Sequence, residues 1–218
     1  MLRKNPFITD QYYHIYNRGI DKRLIFTTNT DYKRFIILLY LTNSIKSVDL
    51  SRILNRQHKK YNDIFKIKKE GILVSIGSWC LMPNHFHLLV KQEVDGGITK
   101  FMKKLGTGYS MYFNKKYDRQ GALFGGPFKS KLIGEDDNYM RQLFAYIHLN
   151  PLDLNYPEWE KDNFKNKEME EFLNLYRYSS YQDFININRV ENKIINLKNF
   201  PEYFKEENSF QDFIKNYL

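Results

Sequence analysis

Apolar positions along the chain keep two rhythms in turn, one of period two and one of period near 3.6. Residues 12–18 (Tyr-Tyr-His-Ile-Tyr-Asn-Arg) read as a first strand that ends at Gly19, and a short basic loop at 20–26 follows. Thr28, Asn29, Thr30 and Asp31 offer caps to residues 32–45, whose apolar side chains recur at helical spacing. Residues 51–70 are polar and lysine-rich and predict an inserted helix or loop. Residues 72–81 are a buried-strand run, Pro83 and Asn84 make a turn, and 85–92 is the partner strand of a hairpin. Gly96 and Gly97 precede a long amphipathic stretch over 98–117, interrupted by Gly106 and Gly108. Glycines and Pro127 punctuate a loop, 128–133 is a fourth strand, and Asp136, Asp137 and Asn138 cap a helix over 138–150. Asn150-Pro151 stops that helix, because proline lacks the N–H and crowds the preceding turn.

The predicted order is strand, helix, strand, strand, helix, strand, helix. Its first six elements are the split βαβ arrangement of the ferredoxin-like (RRM-like) α+β class, one antiparallel sheet with helices over one face. The last helix is extra. We therefore expect a domain over 1–155 with a basic insertion at about 48–70, and a mostly helical extension over 156–218 packed on it.

Composition narrows the function classes. The chain has 218 residues, 42% of them hydrophobic and 17% aromatic, which suffices for a sizeable core. A net charge of +9 suggests a polyanionic partner, most simply nucleic acid. The single cysteine, Cys80, excludes an intrachain disulfide and a multi-cysteine zinc site, and its apolar neighbours read it as core. The first residues lack the apolar stretch of a signal peptide, and no run approaches ~20 apolar residues, so a cytoplasmic protein without a membrane span is expected.

The sharpest chemical signal is His85-Phe86-His87 at the start of its strand. Alternate strand residues share a face, so the two imidazoles point the same way, either as a ready half of a divalent-metal site or as two partly buried histidines satisfied by hydrogen bonds, the commoner case for an H-x-H alone. The second signal lies on the last helix. Met140, Leu143, Phe144 and Ile147 form its apolar stripe, Tyr146 sits at the stripe's edge, and Asn150 follows one turn later on Tyr146's side. His148 is roughly 200° round the helix from Tyr146 and faces elsewhere.

His85-Phe86-His87 after Met82-Pro83-Asn84, with residues 146–151 (Tyr-Ile-His-Leu-Asn-Pro), resembles the HUH single-tyrosine transposases, closest to the REP-associated tyrosine transposases of the IS200-like class. Residues 13–19 fit that family's opening strand, 112–117 and 121–130 its middle, and 178–181 (Tyr-Ser-Ser-Tyr) a segment seen after its core. The resemblance covers about residues 10–185. It implies an enzyme that cleaves and rejoins single-stranded DNA near hairpins through a 5′-phosphotyrosine. His85, His87 and Asn150 would hold Mg²⁺ or Mn²⁺ and Tyr146 would be the nucleophile. Such an enzyme works as a monomer or a homodimer.

DNA contacts are read more loosely. Lys103, Lys104, Lys115, Lys116, Arg119, Lys129 and Lys131 flank the site in sequence, and Tyr109, Tyr112, Phe113 and Phe124 interleave with them. Basic groups would hold phosphates and aromatic faces would stack bases; the alternative is a solvated charged helix face with its aromatics in the core. Asn17, Arg18 and Arg23 near the first strand's end are further contacts, and Lys59, Lys60, Lys66, Lys68 and Lys69 serve DNA binding or solubility. Relatives often carry a basic residue where this chain has Pro127, so that contact is either missing or supplied by Lys131. Two other readings stay in play. A non-catalytic hairpin-binding module would share the sheet, although neither RNP consensus is evident. A relaxase or replication initiator would share the chemistry, although its tyrosine usually comes first and it uses a third histidine. No H-E-x-x-H motif supports a metallopeptidase.

Overall fold

The computed structural model describes residues 6–46, 48–49, 52–53, 60–134, 137–157, 159, 167–201 and 207–215. Lys59 and the Asp136 cap lie outside them. Strands β1 (Tyr12–Arg18), β2 (Val74–Met82), β3 (His85–Gln92) and β4 (Lys129–Leu132) form one sheet in the order β2-β3-β1-β4, antiparallel throughout. This is the α+β split βαβ topology that the sequence predicts.

Period-two alternation assigns the two faces. Ile15, Phe86, Leu88 and Val90 point toward helices α1 (Asn29–Thr42) and α3 (Gly97–Lys116), where they join Phe35, Leu39, Phe101, Leu105 and Tyr109 in the larger core. Thr28 begins α1 in extended conformation, and the Asp31 carboxylate accepts its N–H at 2.9 Å. Helix α3 runs unbroken through Gly106 and Gly108, against the expected interruption. Each glycine costs ~1 kcal/mol relative to alanine in a helix. Burial of Phe101, Leu105, Tyr109 and Phe113, recurring every four residues, outweighs that cost. A short α2 (Tyr61–Ile64) is the helical part of the predicted insertion, and it anchors through Ile64 and Phe65.

The opposite face carries Cys80, Met82, His85, His87 and Leu89. Helix α4 (Asp137–Leu149) covers it through Met140, Leu143, Phe144 and Ile147, the predicted stripe. The C-terminal residues complete this second core. Met169 and Leu173 of α5 (Lys167–Leu175), Phe184 of α6 (Tyr181–Phe184) and Phe210 of α7 (Glu207–Lys215) all join it. Residues 178–180 also close the sheet's β2 edge, with Leu81 N–H donating to Tyr178 O and Ser180 N–H to Trp79 O, each at 2.8 Å. Cys80 is fully buried, as expected of a core residue. No helix among the described residues is long and apolar enough to cross a membrane.

Candidate active site

His85 and His87 sit where the β2–β3 hairpin begins its return, and the loop before α1 clamps that turn. Pro83 O accepts the N–H groups of Ile25 and Phe26 at 2.8 and 3.0 Å, and Asn84 O accepts Gly19 N–H at 2.9 Å. Only glycine fits at position 19, since a Cβ there would lie 2.3 Å from the Arg23 carbonyl oxygen. The clamp fixes a side chain as well as a backbone. Asn84 Nδ2 donates to Lys22 O at 3.2 Å, so its Oδ1 faces His85 Nδ1, 2.6 Å away. An amide oxygen only accepts, and of the two amide oxygens facing this ring that of Asn84 is the nearer, at 2.6 Å against 3.2 Å for Asn150, which favours the proton on Nδ1 and a lone pair on Nε2.

His87 lies one pleat further along β3, on the same face as predicted. Its Nδ1 is 2.8 Å from Nε2 of His14 on β1, and its own Nε2 is buried with no hydrogen-bond partner among the described residues. Burial pushes the His14 pKa down to about 4, with Lys131 adding to the effect. Burial, then the neighbouring His14 and His85, lowers His87 well below the usual imidazole range. Burial lowers His85 too, against the raising effect of Asn150. All three imidazoles are therefore neutral near pH 7, with lone pairs available to a cation.

Helix α4 brings the remaining groups. Tyr146 is 39% exposed and sets its ring edge-on to His87, centroids 5.3 Å apart. Asn150 follows where Pro151 turns the helix into a 3-10 segment (Asn150–Leu154). Buried to 2% exposure, it holds Oδ1 3.2 Å from His85 Nε2. His148 faces the other way, as its helical position predicts. It is fully buried, with Nδ1 2.9 Å from Phe144 O and Nε2 2.7 Å from Ser180 Oγ, which ties α4 to the C-terminal segment.

Tyr16, Arg18, His85, His87, Lys129 and Tyr146 line one cavity of about 370 Å³, whose rim includes Gly125, Gly126 and Pro127. The residues fit a divalent ion. Nε2 of His85 and Oδ1 of Asn150 are two lone-pair donors facing each other at 3.2 Å. Two ligands at right angles on a cation with bonds of about 2.1 Å stand about 3 Å apart. His87 Nε2 is the orphaned third donor. No cluster of three or more His, Cys, Asp or Glu suited to a metal occurs among the described residues.

The other sequence-predicted residues scatter. Arg18 and Lys129 line the cavity, as does Asn17, whose Nδ2 donates to Gly126 O at 3.1 Å. Arg23 is exposed on the clamp loop near Asp21. Lys131 holds its ammonium over the Tyr139 ring, 4.0 Å from the centroid, so Lys129 rather than Lys131 stands beside Pro127 in the cavity wall. Lys103 lines a separate opening across the sheet, with Phe86, Phe124 and Phe128. Lys104 donates to Ser44 O at 2.8 Å. Lys116 pairs with Asp31 at 2.6 Å, and Arg119 lies over the Phe113 ring. Lys115 is exposed at the end of α3. Tyr109 needs correction as a stacking platform. It is fully buried, its hydroxyl donating to Ile25 O, because it belongs to the apolar stripe of α3. Phe113 is buried on the same stripe, and the Tyr112 hydroxyl donates to Asp31. Of the lysine-rich insertion, Lys66 pairs with Asp63, and Lys69 packs over the Tyr40 ring, where burial pushes its pKa down to about 8.

Sequence reasoning missed His14 and Asn84. The alternation of β1 places His14, Tyr16 and Arg18 on one face, but only the register Tyr16↔His87 and Arg18↔His85 shows that this face is the one with the histidine pair.

A family model described as "Transposase IS200 like" matches residues 8–150. No curated protein sequence matches the chain. Among solved structures, the chain is similar to a REP-associated tyrosine transposase bound to a REP hairpin, at 12% identity and a TM-score of 0.52, over 88% of this chain and 89% of that one. That likeness concerns the fold. The family match runs from before β1 to Asn150, through every side chain of the cavity described above, and this chain belongs to the IS200-like transposase family.

Proposed function

We propose that this protein cleaves and rejoins single-stranded DNA beside hairpins, with Tyr146 as the nucleophile and His85, His87 and Asn150 as ligands of Mg²⁺ or Mn²⁺. The observation that carries the reading is the meeting of Tyr146 with His85 and His87 around one cavity rimmed by Arg18 and Lys129. The solved relative's REP hairpin suggests the substrate class.

Arg18 and Lys129 would bind the phosphates on either side of the scissile bond. The Tyr146 oxygen would attack phosphorus in line. The P–O3′ bond breaks, the 3′ oxygen leaves as a hydroxyl after taking a proton, and the phenolic proton is lost to solvent or a base. The phosphotyrosine keeps the energy of the phosphodiester, so a second 3′-hydroxyl can reverse the step on another strand with no nucleotide cofactor. When bound, the divalent ion supplies positive charge to polarise the scissile phosphate and orient it. His85 and His87, held neutral by burial, would leave that charge undiminished. His85, His87, Tyr146 and Asn150 approach one another within one chain, which favours a site assembled in a single subunit, whether monomer or homodimer.

End-labelled hairpin DNA with a single-stranded flank tests this. With Mn²⁺ or Mg²⁺ an SDS-resistant adduct is expected, abolished in Tyr146→Phe and reduced at least 100-fold in His87→Ala. Tight hairpin binding with no adduct on the genomic flank would instead favour a non-catalytic hairpin-binding protein.

A further inference from the structure

We infer that His14 is the positioning residue of the metal site, fixing the tautomer of His87 so that the His87 Nε2 lone pair is free for a cation. The inference rests on the proposed metal site and goes beyond it, since His14 itself holds no metal in this reading.

Both ring nitrogens of His87 are buried, and they face different things. Nδ1 meets His14 Nε2 at 2.8 Å, while Nε2 has no protein partner among the described residues. A neutral imidazole carries one proton. Placed on Nε2, that proton would be a buried donor with nothing to accept it and would close that nitrogen to a cation. Placed on Nδ1, it is donated to His14 Nε2 and leaves the Nε2 lone pair free for a cation. The geometry points to the second arrangement, with His14 protonated on its own Nδ1.

The arrangement repeats at the other ligand. Asn84 Oδ1 accepts from His85 Nδ1 at 2.6 Å, and Asn84 is held by its bond to Lys22 O. Each histidine of the pair thus has an acceptor behind Nδ1, which keeps the proton off Nε2. Such outer partners orient ligating histidines and raise their basicity. His14 is well suited to the task. It is 8% exposed, sits on the central strand β1, and packs its ring against Tyr16 at 4.8 Å and against His87 at 5.1 Å. A third histidine beside an H-x-H pair invites reading it as a third ligand. Here its Nε2 is engaged with His87 Nδ1, and His14 is not among the residues that line the cavity wall.

Two measurements decide this. The first needs no substitution: long-range ¹H–¹⁵N spectra of histidine-labelled protein report the tautomer of each of the five histidines. His87 is expected to carry its proton on Nδ1. A proton on Nε2 would overturn the proposal. The second is direct Mn²⁺ titration, with free Mn²⁺ followed by electron paramagnetic resonance. His14→Gln keeps an acceptor oxygen and is expected to bind within about 3-fold of the parent. His14→Leu removes the acceptor and is expected to bind 10–100-fold more weakly, with a thermal midpoint close to that of His14→Gln. Equal affinities in the two variants would overturn the proposal. A parent protein that binds no Mn²⁺, with His87 protonated on Nδ1, would leave the orienting bond standing and refute the metal reading of the site.

Discussion

Asn150 is the residue on which the site's reading as a metal centre turns. An amide oxygen cannot donate to a neutral imidazole's lone pair, yet here Oδ1 lies 3.2 Å from His85 Nε2. Between two acceptors the contact is repulsive, and a cation shared by both makes it favourable. Asn150→Ala is therefore expected to weaken Mn²⁺ binding at least 10-fold and to slow adduct formation in parallel, read by metal titration and a gel assay. Unchanged metal affinity would take Asn150 out of the ligand set. At this scale the sequence indicated which side chains lie together. Strand alternation puts His85 and His87 on one face and one helical turn puts Asn150 on Tyr146's side, while the roles proposed for the four rest on the family resemblance. His14 and Asn84 were not legible. The first depends on the pairing register of two strands 73 residues apart, and the second on a clamp made by a loop from elsewhere in the chain.

Helix α4 is the element that carries Tyr146 and Asn150, and its seating depends on the side it turns away from the site. His148 links it to Ser180 and lies among Phe144, Tyr181, Phe184 and Phe210. Burial pushes its pKa down to about 3, outweighing the raising effect of the Phe144 carbonyl, and that of His14 falls to about 4. The unfolded chain takes up these protons near pH 6.5 while the folded chain does not. Their contribution to stability is thus complete above about pH 6.5. It is lost as pH falls from there toward about 4 for His14 and about 3 for His148. The thermal midpoint is expected to drop steadily from pH 7 to pH 4, and His148→Phe to flatten that slope. A midpoint unchanged across this range would contradict the burial of neutral imidazoles. Element boundaries were largely legible, because long apolar periodicities outlast local breakers. The reading failed inside α3, where two glycines suggested interruption and an apolar stripe every four residues kept the helix whole. That stripe also shows why Tyr109 is core. Its spacing from Phe101, Leu105 and Phe113 was informative, and its nearness in sequence to lysines was not.

Across the whole molecule, one buried charge holds the large core together. Asp31, fully buried at the start of α1, accepts from Lys116 at 2.6 Å, Tyr117 at 2.7 Å and Tyr112 at 2.9 Å, all on or just past the end of α3. Burial raises its pKa, but the bonds from Lys116, Tyr117 and Thr27 prevail and hold the carboxyl below the usual range. Asp31→Asn removes the charge that Lys116, itself 29% exposed, pairs with, and weakens the buried bonds around it, and is expected to cost about 1–3 kcal/mol in urea unfolding. Glu70→Gln, which removes the exposed partner of Lys46, should cost less than about 1 kcal/mol. A similar small cost for both would show that the Asp31 network does not join the helices. The basic excess of the chain points to nucleic acid from composition alone. Which cations face the cavity was not legible from it, since Lys104 and Lys116 are spent on internal bonds while Arg18 and Lys129 reach the rim.

The central claim is that Tyr146 is the atom-donating end of a covalent DNA link made inside one chain. The most direct measurement is peptide mapping by mass spectrometry after incubation with a hairpin oligonucleotide and Mn²⁺. The account predicts a nucleotide mass joined through a 5′ phosphate to Tyr146, absent when the metal is chelated. A nucleotide on any other residue, or strand cleavage with no protein-bound nucleotide, would contradict it.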